Sequence, residues 1–391
     1  NDYGKLPASF TVVDRQTGLK TSYNFFVNVV NSYKLGYYVL SKKANADAIL
    51  YCRSTVKGDA DIEEVLLPGI ASIGKNPLYL TGNKVYGASA TDYHNEIVLA
   101  VKDAEFPVLV LDSREFSAMY KYNAQSYTGG GDFLFSPTQV FMNMYSSGVF
   151  AVNNGKVHVL QKGAISTPRM GDDPLDYQLD PGGFADPVGY GAYFLSFYDS
   201  KNKRLRVADF SPNYVQYDYP NISDHIIPAD LLEGQQFLYG TSTMGSELCY
   251  LYLAQKGNTL NAYKLLFNDS FLPSTMSLHA QGSLPAVGEI KKLYFEAREN
   301  TWYLAMGRTI YKAASLGLDF QKFLTLPDDQ SGDISDFQYN ISANRILIST
   351  FDAGHSSEKK SSIYIYDTST STLTHADKYC VEEVVGLLVG I

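Results

Sequence analysis

An acidic segment near the middle of the chain offers a dense set of oxygen ligands for a cation. The segment GDDPLDYQLDPGGFAD (171–186) carries five carboxylates within fifteen residues, at Asp172, Asp173, Asp176, Asp180 and Asp186. Calcium takes several carboxylate and carbonyl oxygens from a flexible loop, so Asp172, Asp176 and Asp180 are candidate calcium ligands. The spacing differs from that of an EF-hand loop. The alternatives are a solvated connection and a loop that contacts another ligand.

A tyrosine-rich segment, MYKYNAQSYTGGGDF (119–133), has the residue types of a binding surface. Its three tyrosines present flat apolar faces with a polar edge, which suits sugar rings and extended peptides, and its glycines permit close approach of the backbone. The predicted site combines these rings with three residues that orient the ligand, giving the set Tyr120, Tyr122, Tyr127, Asp132, Arg169 and Asp173. The alternative is a surface connection that is packed by its own tyrosines.

Charge, histidine and cysteine patterns argue against several other functions. The net charge of −9 and the pI of about 5.2 disfavour nucleic acid as a partner, because phosphate binding needs a basic surface. The six histidines lack the spacing of a metal motif, and the three cysteines form neither a zinc nor a disulfide framework. No apolar run reaches the eighteen residues of a membrane-spanning helix.

The elements that must position these segments recur along the chain. Seven short apolar strands begin 44 to 60 residues apart, at Tyr37, Ile97, Val149, Tyr193, Cys249, Trp302 and Ile346. A second strand follows each one across a polar turn, as at Asn153-Asn154-Gly155, where Asn and Gly accept the positive φ of a tight hairpin. A repeat of about 50 residues in an all-β chain predicts a β-propeller, here with seven blades of four antiparallel strands.

An inner strand is expected before each of these pairs, beside a central channel. The candidates are 77–80, 139–145, 187–192, 236–242, 290–297 and 334–340. The first blade lacks one, and two segments compete to supply it, 23–30 and the C-terminal 381–391. We prefer the C-terminal segment, paired as Val384–Val389 beside Tyr37–Leu40, because this closure removes an open sheet edge.

The two chemically interesting segments occupy equivalent places in the repeat. Both are predicted to connect the outer strand of one blade to the inner strand of the next, over roughly 113–138 and 162–186. Such connections surround one mouth of the channel, and long ordered loops are more often functional than short ones. The Asp-box of sialidase propellers and the repeated tryptophans of quinone-dependent propellers do not occur in the sequence, which disfavours these enzyme classes.

The N-terminal stretch adds a resemblance to a known family. The segment 12–52 resembles the domain junction of PKD-like lipoproteins of Bacteroidetes, in which a short immunoglobulin-like domain leads into a propeller-like region. The matching residues are Asp14, Thr17, Gly18, Leu19, Val27, Val29, Gly36, Tyr37, Val39 and Leu40. The resemblance implies that residues 1–31 are a β-hairpin at the end of such a domain and that the propeller spans 32–391. It also implies a lipid-anchored protein of the outer-membrane cell surface, which acts beside a starch-utilisation-type transporter and its substrate-binding lipoprotein.

The expected function is therefore non-catalytic handling of a glycan or peptide nutrient, or an accessory role at the transporter. The resemblance supplies no catalytic residues and no cofactor, which leaves calcium as the candidate ion. One rival is a glycan lyase or hydrolase, which would place two carboxylates about 5–10 Å apart at the channel mouth. The other is a protein–protein scaffold, which would expose a flat apolar face.

Overall fold

The chain is an all-β protein in the computed structural model, with one short 3-10 helix among the described residues. The structure describes residues 4–29, 36–54, 62–83, 96–113, 115–142, 149–167, 176–186, 194–209, 232, 234–243, 249–267, 273–328, 331–340 and 344–389. No helix within these ranges is long and apolar enough to cross a membrane.

The first three blades follow an N-terminal hairpin. The hairpin comprises β1 (Gly4–Val13) and β2 (Lys20–Val29). The first blade begins with β3 (Tyr37–Lys42), β4 (Ala48–Arg53) and β5 (Glu63–Glu64). The second contains β6 (Lys75–Asn83), β7 (Glu96–Asp103), β8 (Val108–Asp112) and β9 (Ala118–Tyr122). The 3-10 helix Ala124–Ser126 leads to the third, with β10 (Pro137–Met142), β11 (Val149–Asn153), β12 (Lys156–Gln161) and β13 (Ala164–Ser166).

The remaining four blades repeat the same pattern. The described strands of the fourth are β14 (Leu179–Asp186), β15 (Phe194–Asp199) and β16 (Arg204–Asp209). The fifth contains β17 (Gln236–Ser242), β18 (Cys249–Lys256), β19 (Thr259–Phe267) and β20 (Pro273–Ser283). The sixth contains β21 (Lys292–Glu296), β22 (Thr301–Met306), β23 (Thr309–Ala313) and β24 (Gln321–Thr325). The seventh contains β25 (Asp333–Asn340), β26 (Arg345–Phe351), β27 (Ser361–Asp367) and β28 (Thr372–Val381), and β29 (Glu383–Val389) ends the chain.

Successive strands within each blade pair antiparallel in chain order. The expected closure is present: β29 pairs antiparallel with β3, with Val389 opposite Tyr37 and Glu383 opposite Lys42. The last strand of the chain is thus the inner strand of the first blade. This pairing covers the edge that β3 would otherwise expose.

The core is divided among seven apolar clusters, one between each pair of neighbouring blades. Side chains on a strand alternate between its two faces. In β3, Tyr38 and Leu40 therefore pack against the second blade, while Tyr37 and Val39 pack against the seventh. A blade strand is buried on both faces, which explains why the repeated segments read as continuous apolar runs rather than alternating ones.

Polar contacts reinforce the junction between the last and first blades. The Tyr37 hydroxyl donates to Asp377 Oδ2 (2.5 Å), and Asp377 also lies 2.8 Å from His375 Nε2 and 3.4 Å from Arg53. The apolar cluster beside these groups contains residues from both ends of the propeller. The ring is therefore held at its seam by packing and hydrogen bonds, without a covalent link among the described cysteines.

The inner strand of the fourth blade corrects one prediction. The sequence predicted 187–192, which lies outside the described residues, whereas the structure has β14 at Leu179–Asp186. The segment contains Pro181, Gly182 and Gly183, which are typical of turns, so the sequence did not predict a strand there. A Cβ at Gly182 would lie 2.0 Å from the Phe237 carbonyl oxygen, so glycine is required where β14 and β17 approach. These two inner strands even pair in parallel, with Ala185 opposite Gly240.

The two segments predicted as long connections also contain strands. Ala118–Tyr122 pairs with β8, and Ala164–Ser166 pairs with β12, so both are outer strands of their blades. The connection from the second to the third blade is therefore shorter than predicted and covers 123–136. The four-strand repeat predicts an outer strand of the fourth blade after β16, and the segment that would supply it, 213–219, lies outside the described residues.

The N-terminal hairpin is present as a separate two-stranded sheet. Its register places Phe10 opposite Tyr23 and Ala8 opposite Phe25. These residues share one face of the hairpin, since partners and alternate residues point the same way. The aromatic rings are about half exposed and contact each other, with Phe10 and Tyr23 centroids 5.1 Å apart. Its assignment to an immunoglobulin-like domain stays a prediction.

Candidate functional site

A cavity of about 340 Å³ lies where the inner strands of all seven blades meet. The blades formed by the described strands surround an axis, where they leave a channel that the backbone cannot fill. The volume falls within the range of about 300–1,000 Å³ that is usual for small-molecule sites. Each inner strand supplies lining residues, among them Tyr79, Gln139, Phe184, Tyr239, Tyr294, Asp336 and Leu387.

Aromatic side chains form one side of the cavity, which we call the aromatic wall: Tyr79, Phe141, Phe184 and Tyr239. They come from the inner strands of four consecutive blades, the second to the fifth. Phe141 and Phe184 stack with ring centroids 4.1 Å apart and planes 19° apart. Tyr239 packs edge-on against the fully buried Trp302 at 6.0 Å. Phe184 is only 3 % exposed, whereas Tyr79, Phe141 and Tyr239 are partly buried, so the wall is packed from behind while its residues line the cavity.

Polar side chains of the sixth and seventh blades form the other side, which we call the polar wall: Lys292, Tyr294, Asp336 and Gln338. Lys292 Nζ lies 2.9 Å from Asp336 Oδ1, which also accepts the Phe337 N–H at 2.9 Å. Gln338 Oε1 accepts the Val389 N–H at 2.6 Å, which ties the polar wall to the closing strand. The Tyr294 hydroxyl donates to Glu296 Oε2 at 2.8 Å.

Several atoms of the polar wall have bonding capacity that the described residues do not use. These atoms are the second carboxylate oxygen of Asp336, the side-chain N–H groups of Gln338 and the remaining N–H groups of Lys292. The Lys292 side chain is 42 % exposed and that of Asp336 11 %. Lys292 is therefore accessible from solvent, while Asp336 is held in place behind it.

The cavity is close to electrically neutral in its described lining. Lys292 and Asp336 are the two charged residues that line it, and they are paired with each other. Within the described lining, a second carboxylate at hydrolase distance from Asp336 is not found. The arrangement places an apolar and a polar surface on opposite sides of one cavity.

The structure places the predicted binding tyrosines outside this cavity lining. Tyr122 lies on β9 with 0 % exposure, and its hydroxyl accepts the Gly163 N–H at 3.3 Å. Its ring has no surface for a ligand. Tyr120 is partly buried on the same strand, with its ring centroid 6.5 Å from that of Tyr122.

Tyr127 packs within the connection 123–136, which we call the crossing loop. Its ring stacks on Phe133 with centroids 4.0 Å apart, and its hydroxyl lies 3.1 Å from the Thr167 hydroxyl. The Thr128 N–H donates to the Ile165 carbonyl oxygen at 2.9 Å. The crossing loop is therefore fastened to the outer strand of the third blade.

A buried histidine lies beneath the crossing loop. His158 of β12 is 4 % exposed, and its Nδ1 lies 3.1 Å from the Thr167 hydroxyl. The Phe133 ring packs edge-on against it at 5.2 Å. Burial lowers the pKa of His158 to about 4, because the apolar surroundings disfavour the charged imidazolium.

The other predicted ligand-orienting residues are not brought together by the described structure. Asp132 is exposed on the crossing loop. Arg169 and Asp173 lie outside the described residues, so their place in a binding site stays a prediction.

Two of the predicted calcium ligands have protein partners, and the calcium site stays a prediction. Asp176 forms an ion pair with Lys201, which lowers the pKa of the carboxyl group. Asp180 Oδ1 accepts the Gly182 N–H at 3.1 Å, and burial raises the pKa of Asp180. The third, Asp172, lies outside the described residues. Within the part of the chain that the structure describes, no group of three His, Cys, Asp or Glu residues could hold a metal ion.

Sequence reasoning missed the residues of the polar wall, although a signal for them was present. The inner strands around Lys292 and Asp336 were predicted, and alternate residues of an inner strand must face the channel. Which of the two alternating sets faces inward depends on the register and on local irregularities, such as the one between Ile334 and Asp336.

Comparison with known proteins supports the propeller fold. No family model matches the chain, and the curated proteins give no sequence match. Among solved structures, a quinonprotein alcohol dehydrogenase-like protein from Bacteroides thetaiotaomicron has a TM-score of 0.52 at 11% identity, covering 99% of this chain and 86% of its own. The periplasmic gluconolactonase of Pseudomonas aeruginosa has a TM-score of 0.49 at 11% identity, covering 90% and 98%. A β-propeller domain from Myceliophteria thermophila has a TM-score of 0.45 at 12% identity, covering 81% and 90%.

The match with a TM-score of 0.52, together with the strand topology, defines the class of protein. The chain is a β-propeller protein with a central cavity. Sequence identities of this size carry information on the fold and not on the activities of the similar proteins.

Proposed function

We propose that the protein is a non-catalytic binding protein that holds a small nutrient, a glycan or a peptide fragment, in its central cavity. The observation that carries the proposal is the cavity lined by the aromatic wall on one side and the polar wall on the other. Binding sites are typically concave and mostly apolar, with a few polar groups that fix the orientation of the ligand.

The proposed cellular setting rests on the sequence resemblance. A lipid-anchored protein at the outer-membrane surface, beside a starch-utilisation-type transporter and its substrate-binding lipoprotein, would capture a nutrient or assist its delivery. The paired state of the one described lining carboxylate, Asp336, favours binding over a glycan lyase or hydrolase activity.

Calorimetry with a panel of neutral sugars, charged sugars and blocked dipeptides tests the proposal. We expect at least one compound to bind the wild-type protein, and Tyr239→Ala to weaken its binding. Tyr127→Ala is the matched control, since Tyr127 packs in the crossing loop. Mass spectrometry of the recovered ligand checks for cleavage. A panel without any binding at millimolar concentration, or a cleaved ligand, would overturn the proposal.

A scaffold role is the second candidate, and the N-terminal hairpin favours it. Phe10, Tyr23 and Phe25 expose roughly half of their surfaces on one face of the hairpin. Exposed apolar surface of this kind often marks a protein contact. A double substitution, Phe10→Ser with Phe25→Ser, should abolish binding to a purified transporter in a surface plasmon resonance experiment if the hairpin is the contact. Unchanged binding would remove this candidate.

A further inference from the structure

The hydrogen-bonding pattern of the polar wall restricts the chemistry of the ligand. Lys292 presents donors, Asp336 an acceptor oxygen and Gln338 donors, on two adjacent inner strands. A hydroxyl group both donates and accepts, whereas a carboxylate only accepts and an ammonium only donates. Neighbouring hydroxyl groups of one molecule can therefore satisfy all three side chains together.

The aromatic wall suits the apolar face of a molecule whose hydroxyl groups contact the polar wall. The partly buried side chains of Phe141 and Tyr239 provide apolar area across from the polar groups, and the buried Phe184 ring stacks against Phe141 and holds it in place. A sugar ring has C–H groups on its face and hydroxyl groups at its edge. It can place the face against aromatic rings and the edge against polar side chains.

Charge balance argues against an ionic ligand. Lys292 and Asp336 already neutralise each other at 2.9 Å, and Asp336 is mostly buried. An anionic ligand would compete with Asp336 for Lys292 and leave a buried carboxylate without its cation. A cationic ligand would compete in the same way for Asp336. Asp336 is the buried member of the pair, so loss of its cation is costly because the carboxylate stays desolvated and unpaired, whereas a cationic ligand is opposed by like-charge repulsion from Lys292.

We infer that the central cavity binds a neutral polyhydroxylated ring, a sugar residue without carboxylate or amino groups. This inference rests on the proposed binding function and narrows it to one ligand class. Lys292 and Asp336 act as specificity-determining residues. Lys292 donates hydrogen bonds to hydroxyl groups of the ligand and Asp336 accepts hydrogen bonds from them. Because the two charges neutralise each other, a charged sugar binds less tightly than a neutral one.

Calorimetry with matched probes tests the inference directly. The probes are glucose, glucuronate and glucosamine, which share one ring and differ in charge, with cellobiose for a longer ligand and blocked dipeptides as the peptide arm. For wild type we expect a neutral sugar to bind at least about tenfold more tightly than its charged counterparts, since each charged form disturbs the ion pair.

Substitution of either charged residue should weaken the discrimination against one kind of charged sugar, and the two substitutions should differ in which kind they affect. Asp336→Asn leaves Lys292 unpaired, so the ratio of glucuronate to glucose affinity should rise by about tenfold. Lys292→Met leaves Asp336 unpaired, so the ratio of glucosamine to glucose affinity should rise instead. The matched controls are Asp47→Asn and Lys75→Met, which alter an exposed ion pair of 3.5 Å outside the cavity lining and should leave both ratios unchanged.

The outcomes separate this inference from the proposed function. Tight binding of a blocked dipeptide without sugar binding would overturn the inference and keep the binding function. Equal or stronger binding of glucuronate or glucosamine by wild type would also overturn it. Absence of binding by every probe would overturn both. The wild-type measurements decide these points even if a variant fails to fold, which circular dichroism would reveal.

Discussion

The crossing loop and the central cavity are both rich in aromatic residues, but the structure uses these residues in opposite ways. In the crossing loop, Tyr127 stacks on Phe133 and hydrogen-bonds Thr167, so its ring is used to fasten the second blade to the third. In the cavity, Tyr79 and Tyr239 border open space. The crossing loop lies against the outer strand of the third blade, so its aromatic rings find partners there. Inner strands converge on an axis where no further element packs against them.

The difference teaches that aromatic content alone does not locate a binding site in a propeller. The Tyr127 ring makes its contacts within the crossing loop and with the third blade, whereas Tyr79 and Tyr239 pack against the core on one side and also line the cavity. The first three predictions test the cavity and the crossing loop, and the fourth concerns the acidic segment.

The largest effect is expected from deletion of 383–391, which removes one side of the cavity and leaves the crossing loop intact. The deletion exposes the edge of β3 and removes the buried side chains Val384, Leu387 and Leu388. Each such side chain contributes about 1.5–3 kcal/mol when buried. We expect aggregation or loss of cooperative unfolding, measured by size-exclusion chromatography and thermal circular dichroism. Deletion of 390–391 alone is the control, and a normal melting curve for the longer deletion would show that β29 does not close the ring.

The second effect concerns the pH dependence of stability at the crossing loop. The folded-state pKa of His158 is about 4, below the value of about 6.5 in an unfolded chain. The unfolded state therefore binds a proton first as the pH falls. The contribution of the neutral His158 to the free energy of unfolding is fully present above pH 6.5. It decreases as the pH falls towards 4, by as much as about 3 kcal/mol if this histidine acts alone.

Denaturant unfolding at pH 7, 5.5 and 4.5 measures this dependence. His158→Gln should flatten the curve between pH 6.5 and 4, whereas His279→Gln, at an exposed position, should leave it unchanged. The same slope in wild type and His158→Gln would mean that other groups are responsible for the acid sensitivity.

The third effect compares the same substitution in the two regions. Tyr127→Ala should lower the free energy of unfolding by about 1–3 kcal/mol through loss of stacking on Phe133, with little effect on ligand affinity. Tyr239→Ala should weaken ligand binding by about 1–3 kcal/mol, since a wall residue contributes stacking area. Paired measurements of unfolding and affinity on both variants test the comparison. If Tyr127→Ala weakens binding and leaves stability unchanged, the site is at the loop.

The smallest effect is expected from calcium at the acidic segment. Lys201 is already paired with Asp176, and the Gly182 N–H with Asp180, so two candidate ligands would have to exchange protein partners for the ion. We expect calcium and chelator to give nearly the same melting temperature, measured by scanning fluorimetry. A calcium-dependent rise that Asp180→Asn abolishes would establish a metal site by mass action on the folded state.

Much of the fold followed from local patterns in the sequence. The seven apolar strands reappear as β3, β7, β11, β15, β18, β22 and β26, because segments buried on both faces must read as apolar runs. The closing strand was also foreseen, since an open edge beside Tyr37 needed a partner. Strand β14 was missed because Gly182 resembles a turn residue, whereas its role is to permit contact with Phe237.

The cavity shows what only the tertiary structure decided. The sequence by itself determined that inner strands exist and that some of their residues face an axis, since side chains alternate along a strand. It did not determine that Lys292 and Asp336 would meet at 2.9 Å across two blades, opposite Phe141 and Phe184. These residues are far apart in the chain, and their meeting depends on ring closure and strand register. The closing strand was predicted from the need to cover an open edge, but the register of each inner strand, with its irregularities, is not encoded in the local spacing of residues.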